Sequence, residues 1–175
     1  MHPPSLAVLA LLLAHAPADD PPPLDEHLEP LRPWIGKTFR GELASSTPEK
    51  PQVDVSRWER ALNGKAIRVL HSINDGAYGG ESLIFWDSEA NRIAFHYFTT
   101  AGFRTTGFMT VEGRKLTSHE KVSGNAGGAT EVRATIDLGP DGTMTSKAEF
   151  LKEGKWVPGH MIRYREDPKA DVKFR

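Results

Sequence analysis

Tight-turn signals recur along this chain at short, even intervals, and that punctuation constrains its fold more than any other feature. Asn63-Gly64 separates VDVSRWERAL from KAIRVLHSIN, and Asn-Gly supplies the positive φ angles that a two-residue hairpin needs. Glu112-Gly113 stands between GFMTV and RKLTSHEKV, Pro140-Asp141-Gly142 between VRATIDL and MTSKAEFL, and Glu153-Gly154 before KWVPGHMIRYR. A turn from Asp87 to Asn91 divides SLIFW from RIAFHYF, while Gly76, Gly79 and Gly80, and later Gly124, Gly127 and Gly128, mark looser breaks. The segments between them predict about ten strands, at 38–44, 53–62, 65–74, 81–87, 92–99, 103–112, 115–123, 130–138, 143–152 and 155–165. Short sequential connections mean up-and-down pairing. A sheet this wide curls, and closing it removes both unpaired edges. No strand–helix–strand alternation is present, which excludes a doubly wound nucleotide-binding fold. The expected fold is therefore all-β: a ten-stranded antiparallel up-and-down barrel with a short N-terminal helix.

Residue alternation gives the faces of these strands. Ile93, Phe95, Tyr97 and Thr99 share one face, and Ala94, His96 and Phe98 the other. Val132, Ala134, Ile136 and Leu138 alternate with Glu131, Arg133, Thr135 and Asp137. Ile67, Val69, His71 and Ile73 run together, so one face mixes apolar and polar groups. Side chains do not fill a closed barrel of this size, and polar residues on its inner face point to a wet or ligand-holding interior.

Ahead of the strands, Leu6 to Ala14 form a short apolar run followed by small residues at Ala14, Ala16 and Ala18 and then Asp19-Asp20-Pro21-Pro22-Pro23. That is the layout of a secretory signal peptide, with cleavage expected after Ala16 or Ala18, and the run is too short for a membrane span. Leu24, Leu28 and Leu31 fall on one face of a short helix ended by Pro33. The expected organisation is a signal peptide over 1–18, a proline-rich linker and short helix over 19–33, a barrel over 34–166 and a tail over 167–175. Localisation is expected to be secreted or periplasmic.

Charge excludes several partners. With 22 Lys+Arg against 23 Asp+Glu, there is no basic excess for nucleic acid or for a polybasic membrane anchor. The chain has no cysteine, which removes disulfides, thiolate metal sites, a cysteine nucleophile and an N-terminal lipidated cysteine.

Catalytic and cofactor motifs are missing. The histidines beyond the leader, His27, His71, His96, His119 and His160, show no short metal-ligand spacing, so no metal site is encoded locally. There is no G-x-S-x-G elbow. Gly76-Ala77-Tyr78-Gly79-Gly80 lacks the P-loop lysine and leads into a strand, so it reads as a flexible hairpin loop at a barrel mouth. Aromatic residues crowd the middle strands, and beside that loop Trp58, His71, Tyr78, Glu81, Tyr97 and Phe103 combine flat apolar surface with a few polar handles. Trp86 and Glu81 have opposite parity on one strand. Glu81 is expected to face inward, paired with Arg68 or His71, and Trp86 to pack outward or under the N-terminal helix.

The stretches LRPWIG (Leu31–Gly36), WERALNGKAIR (Trp58–Arg68), HSINDGAYGGE (His71–Glu81), IFWD (Ile84–Asp87) and YFTTAGF (Tyr97–Phe103) resemble a bacterial domain-of-unknown-function family of exported, lipocalin-like (calycin-type) β-barrel proteins. The resemblance spans about residues 24–166 and implies binding of a small apolar or amphipathic ligand, with no cofactor and no evident catalysis. The chain is also distantly similar to nitrobindin-like haem barrels. Of their early glycine-and-tryptophan motif, Trp34 and Gly36 remain, and His160 matches the late axial histidine. A haem-binding barrel using His160 is thus one alternative, and a small enzyme using His71, Glu81 and Tyr97 is another.

Overall fold

The computed structural model describes residues 22–175. The signal peptide and cleavage site expected over 1–18 lie outside the described residues.

Ten strands follow one another as β1 (Thr38–Leu43), β2 (Val53–Ala61), β3 (Ala66–Ile73), β4 (Tyr78–Asp87), β5 (Arg92–Thr99), β6 (Arg104–Glu112), β7 (Lys115–Ser123), β8 (Ala129–Leu138), β9 (Met144–Lys152) and β10 (Lys155–Glu166). Each pairs antiparallel with the next, and β1 pairs antiparallel with β10, so the sheet closes into the expected up-and-down barrel. Backbone hydrogen-bonding groups are thereby satisfied all the way round, with no strand left as an open edge.

Nine of the ten strands lie within one residue of expectation at both ends; β4 is the exception. It begins at Tyr78, so Gly79 and Gly80 lie inside the strand and pair with Ser72 and His71. The flexible loop read from these glycines is instead a tight turn over Asn74–Gly76, in which all three residues have positive φ. Two of the glycines serve close packing. A Cβ at Gly79 would lie 3.1 Å from the Phe174 ring, and one at Gly80 would lie 2.4 Å from the Tyr97 ring. The C-terminal segment lies against this hairpin: the Lys173 backbone donates to Ser72 Oγ at 3.0 Å, and Arg175 Nε donates to the Asp75 carbonyl at 3.0 Å.

One end of the barrel is plugged. A short 3-10 helix, Glu26–Leu31, starts at Asp25, whose side chain accepts from the His27 backbone, and it contains Pro30. Pro30 falls in its second turn and has no N–H to donate, so it does not support a longer helix. Leu24, Leu28 and Leu31 are buried on its inner side together with Trp34. The plug is clipped on by Asp25 N–H to the Gly64 carbonyl (2.9 Å) and Gly36 N–H to the Trp58 carbonyl (2.8 Å). His27 stacks on Trp86 with ring centroids 3.9 Å apart. These residues join Phe39, Trp58, Ile67, Ile84, Ile93, Met109, Leu116, Leu138 and Met144 in one apolar core at that end. No described helix is long and apolar enough to cross a membrane.

Candidate functional site

Above the plugged end the inward side chains do not meet, and a cavity of about 410 Å³ remains. Strand parity decides what lines it. On β2 the inward set is Asp54, Ser56 and Trp58; on β3 it is Val69, His71 and Ile73; on β4 it is Tyr78, Ser82 and Ile84; on β5 it is Phe95 and Tyr97. Thr105 and Met109 of β6, with Ser118 and Glu120 of β7, continue the ring. Ala134, Ala148, Ser146 and Ile162 complete it, and their small members leave the room. The lining is graded. Trp58, Ile84, Met109, Leu116 and Met144 form an apolar floor over the plug, and the ionisable groups stand toward the Asn74–Gly76 end.

Those groups form a connected chain. Asp54 is fully buried, and its carboxylate is held twice: Tyr164 Oη donates to Oδ2 at 2.8 Å, and His71 Nδ1 lies 2.8 Å from Oδ1. His71 Nε2 lies 2.7 Å from the Tyr97 hydroxyl, which lies 3.1 Å from the Tyr78 hydroxyl. A carboxylate on one imidazole nitrogen makes that nitrogen a donor and, in the neutral ring, leaves the other to accept. The rings fit because glycines face them: a Cβ at Gly41 would lie 2.8 Å from the Tyr164 ring, as one at Gly80 would crowd Tyr97. Loss of water pushes the Tyr97 phenol far above its ordinary range, and burial likewise raises Tyr78 and Tyr164. These hydroxyls stay protonated and serve as hydrogen-bonding groups.

Beside this chain, Glu120 Oε2 accepts from the Thr105 hydroxyl, and among the described residues no protein group donates to its Oε1. Burial raises its carboxyl pKa above the ordinary 4.5, against the smaller opposing effect of Thr105. A carboxyl raised on folding contributes stability that is complete below its unfolded value and is lost as pH rises through the folded one. Glu120→Gln keeps an acceptor for Thr105 without the charge. Its stability relative to the parent is expected to rise as pH climbs from the ordinary carboxyl value through the raised folded one and then to level off, read as a shift in urea midpoint. A gap independent of pH would contradict a desolvated carboxyl at this position.

His160 also lines the cavity, on β10. A register shift between Pro158 and Met161 inserts an extra residue opposite β9. Val157, paired with Phe150, shares the inward face before it; His160, Ile162 and Tyr164 take that face after it. Bulges re-aim side chains in this way. Loss of water lowers the His160 imidazole pKa, and the neighbouring His71 adds to the effect.

Of the residues singled out from sequence, Trp58, His71, Tyr78, Tyr97, Phe103 and His160 all line this cavity. Glu81 does not. It stands on the outer face and takes two hydrogen bonds from Arg68, at 2.8 and 2.9 Å, with Glu59 on the far side of that guanidinium. Parity explains the correction: Tyr78, Ser82 and Ile84 point inward, so Glu81 points outward, and Trp86 takes the inward side over the plug. The carboxylate that completes the His71–Tyr97 pair is Asp54. Its sequence signal was parity with Trp58 two pairs along β2. No described group of three or more His, Cys, Asp or Glu could hold a metal ion.

Fold and site together define a closed ten-stranded antiparallel barrel around a ligand-sized cavity with a buried polar wall. No family model matches the chain, and no curated protein matches it. Among solved structures, it is similar to the crystal structure of Rv2717c from M. tuberculosis, with a TM-score of 0.62 and 11% identity over 83% of this chain and 99% of that one. At that identity the likeness concerns the fold alone.

Proposed function

We propose that this chain is an exported barrel that binds a small apolar or amphipathic molecule in its interior, without a catalytic step. The observation that carries the reading is the graded cavity of about 410 Å³, with an apolar floor and a few convergent polar groups, which is the usual make-up of a small-molecule site. The Asp54–His71–Tyr97 chain does not argue for covalent catalysis, because burial keeps the phenol protonated and a weak nucleophile.

A haem reading has one feature in its favour: His160 faces the cavity with its imidazole biased toward the neutral form that ligates metal. Against it, the lining contains acidic side chains and no Lys or Arg to pair with propionates. Native mass spectrometry of the purified protein is expected to show a co-purified small organic molecule, and added haemin is expected to give no stable Soret band. A tight Soret complex that disappears in His160→Ala would replace the first reading with the second.

A further inference from the structure

We infer that the molecule held in this cavity is an amphiphile whose head is a protonated amine or, more weakly, a hydroxyl, and that the carboxylate of the same chain is excluded. The inference rests on the small-molecule reading above and concerns which head the polar wall accepts.

Charge is the first argument. The cavity is lined by the acidic side chains Asp54 and Glu120, and among the described residues every Lys and Arg lies elsewhere. The basic groups of the lining are His71, already engaged with Asp54 and Tyr97, and His160, whose imidazole loss of water biases toward the neutral form, so an incoming anion meets no fixed positive charge. A carboxylate head would lose its hydration beside two acidic groups, and an unpaired buried charge is among the costliest arrangements in a protein.

Hydrogen-bond direction is the second. Asp54 already receives hydrogens from His71 and Tyr164, so its valence is used within the protein. The Tyr97 hydroxyl is likewise used within the protein, by His71 Nε2 and by the Tyr78 hydroxyl. The Tyr78 hydroxyl has Tyr97 as its side-chain partner, and its oxygen keeps a lone pair free to accept from a ligand. Glu120 is the second open acceptor, since Thr105 occupies only one of its oxygens. The positions left open beside Tyr78 and Glu120 are acceptors, while the seryl hydroxyls of the lining can turn to either role, and a ligand complements those acceptors best as an ammonium or a hydroxyl. An ammonium also restores to Glu120 the charge that burial disfavours, through a charge-assisted hydrogen bond.

The graded lining sets the orientation. The floor over the plug is apolar, so the tail lies toward Trp58 and Met144 and the head toward Glu120.

The test uses the full chain and a solvent-sensitive apolar dye, displaced by decylamine, decanol or decanoate below their micelle-forming concentrations. Decylamine is expected to displace the dye at least tenfold more strongly than decanoate, with decanol between them. In Glu120→Gln, with folding verified by circular dichroism and thermal melting, the preference for amine over alcohol is expected to fall about tenfold; Lys169→Ala leaves it unchanged. Decanoate displacing as well as decylamine, or an amine preference that survives Glu120→Gln, would overturn the head-group assignment while leaving the cavity reading intact. Failure of all three compounds and the dye to bind the parent protein would overturn both.

Discussion

Replacing Asp54 with alanine is expected to lower the unfolding free energy by about 3–5 kcal/mol, the cost of leaving two buried donors without their acceptor at about 1–3 kcal/mol each. For a chain of this length that corresponds to a fall of roughly 10 °C in melting temperature. The loss comes from what remains behind. Tyr164 is buried and its hydroxyl hydrogen has Asp54 as its acceptor; the His71 Nδ1 hydrogen has the same one. A buried donor left without an acceptor carries its full desolvation penalty, whereas removing both partners of a bond costs much less. The double variant Asp54→Ala/Tyr164→Phe is therefore expected to be less destabilised than the sum of the two single changes. Urea midpoints with unchanged slopes would measure this directly. A single-variant loss below about 1 kcal/mol, or strict additivity, would show that Asp54 is not the node of the chain.

Ala134→Phe is expected to weaken binding of an apolar dye at least tenfold, about 1.4 kcal/mol, while leaving the barrel folded. Ala134 faces the cavity on β8, and its cross-strand partner on β9 is Ala148, also in the lining. Two adjacent alanines make the wall concave there. A phenyl group at 134 grows into empty space, so overpacking costs little, and it takes volume from the ligand. Equal dye binding by both proteins would place the dye on the outer surface, where Phe98 and Phe108 are exposed.

The barrel was readable from sequence because its turns are chemically explicit. Asn63-Gly64 and Glu153-Gly154 carry the positive φ angles that their residue types announce. Alternation placed Tyr97 with Phe95, and His71 with Val69, correctly on the inner face. Three things were not readable. Glycines 79 and 80 signal flexibility in a one-dimensional reading, yet in the fold they make room for Phe174, distant in sequence, and for Tyr97. Asp54 lies between valines in a stretch whose hydrophobic pattern places the valines inside. The register with β1 and β3 turns that face around, and only Tyr164, more than a hundred residues away, reveals what the buried carboxylate is for. Glu120 is hidden for a similar reason: its neighbours His119 and Lys121 mark an exposed strand, and the inward parity becomes meaningful only once Thr105 stands beside it.

Closure of the sheet by β1 and β10 also fixes an order of events during folding. Nine of the ten strand pairings join neighbours in the chain and can form as soon as each hairpin exists. The tenth pairs Phe39 with Glu166 and Leu43 with Ile162. It waits for β10, the last of the ten strands in chain order. Until then β1 and β9 present unpaired backbone, and Asp54 lacks Tyr164. Long-range pairings of this kind slow folding and prolong the exposure of sticky edges. The seam and the partner of the buried carboxylate thus sit on one strand, and a chain truncated within β10 is expected to lose both together.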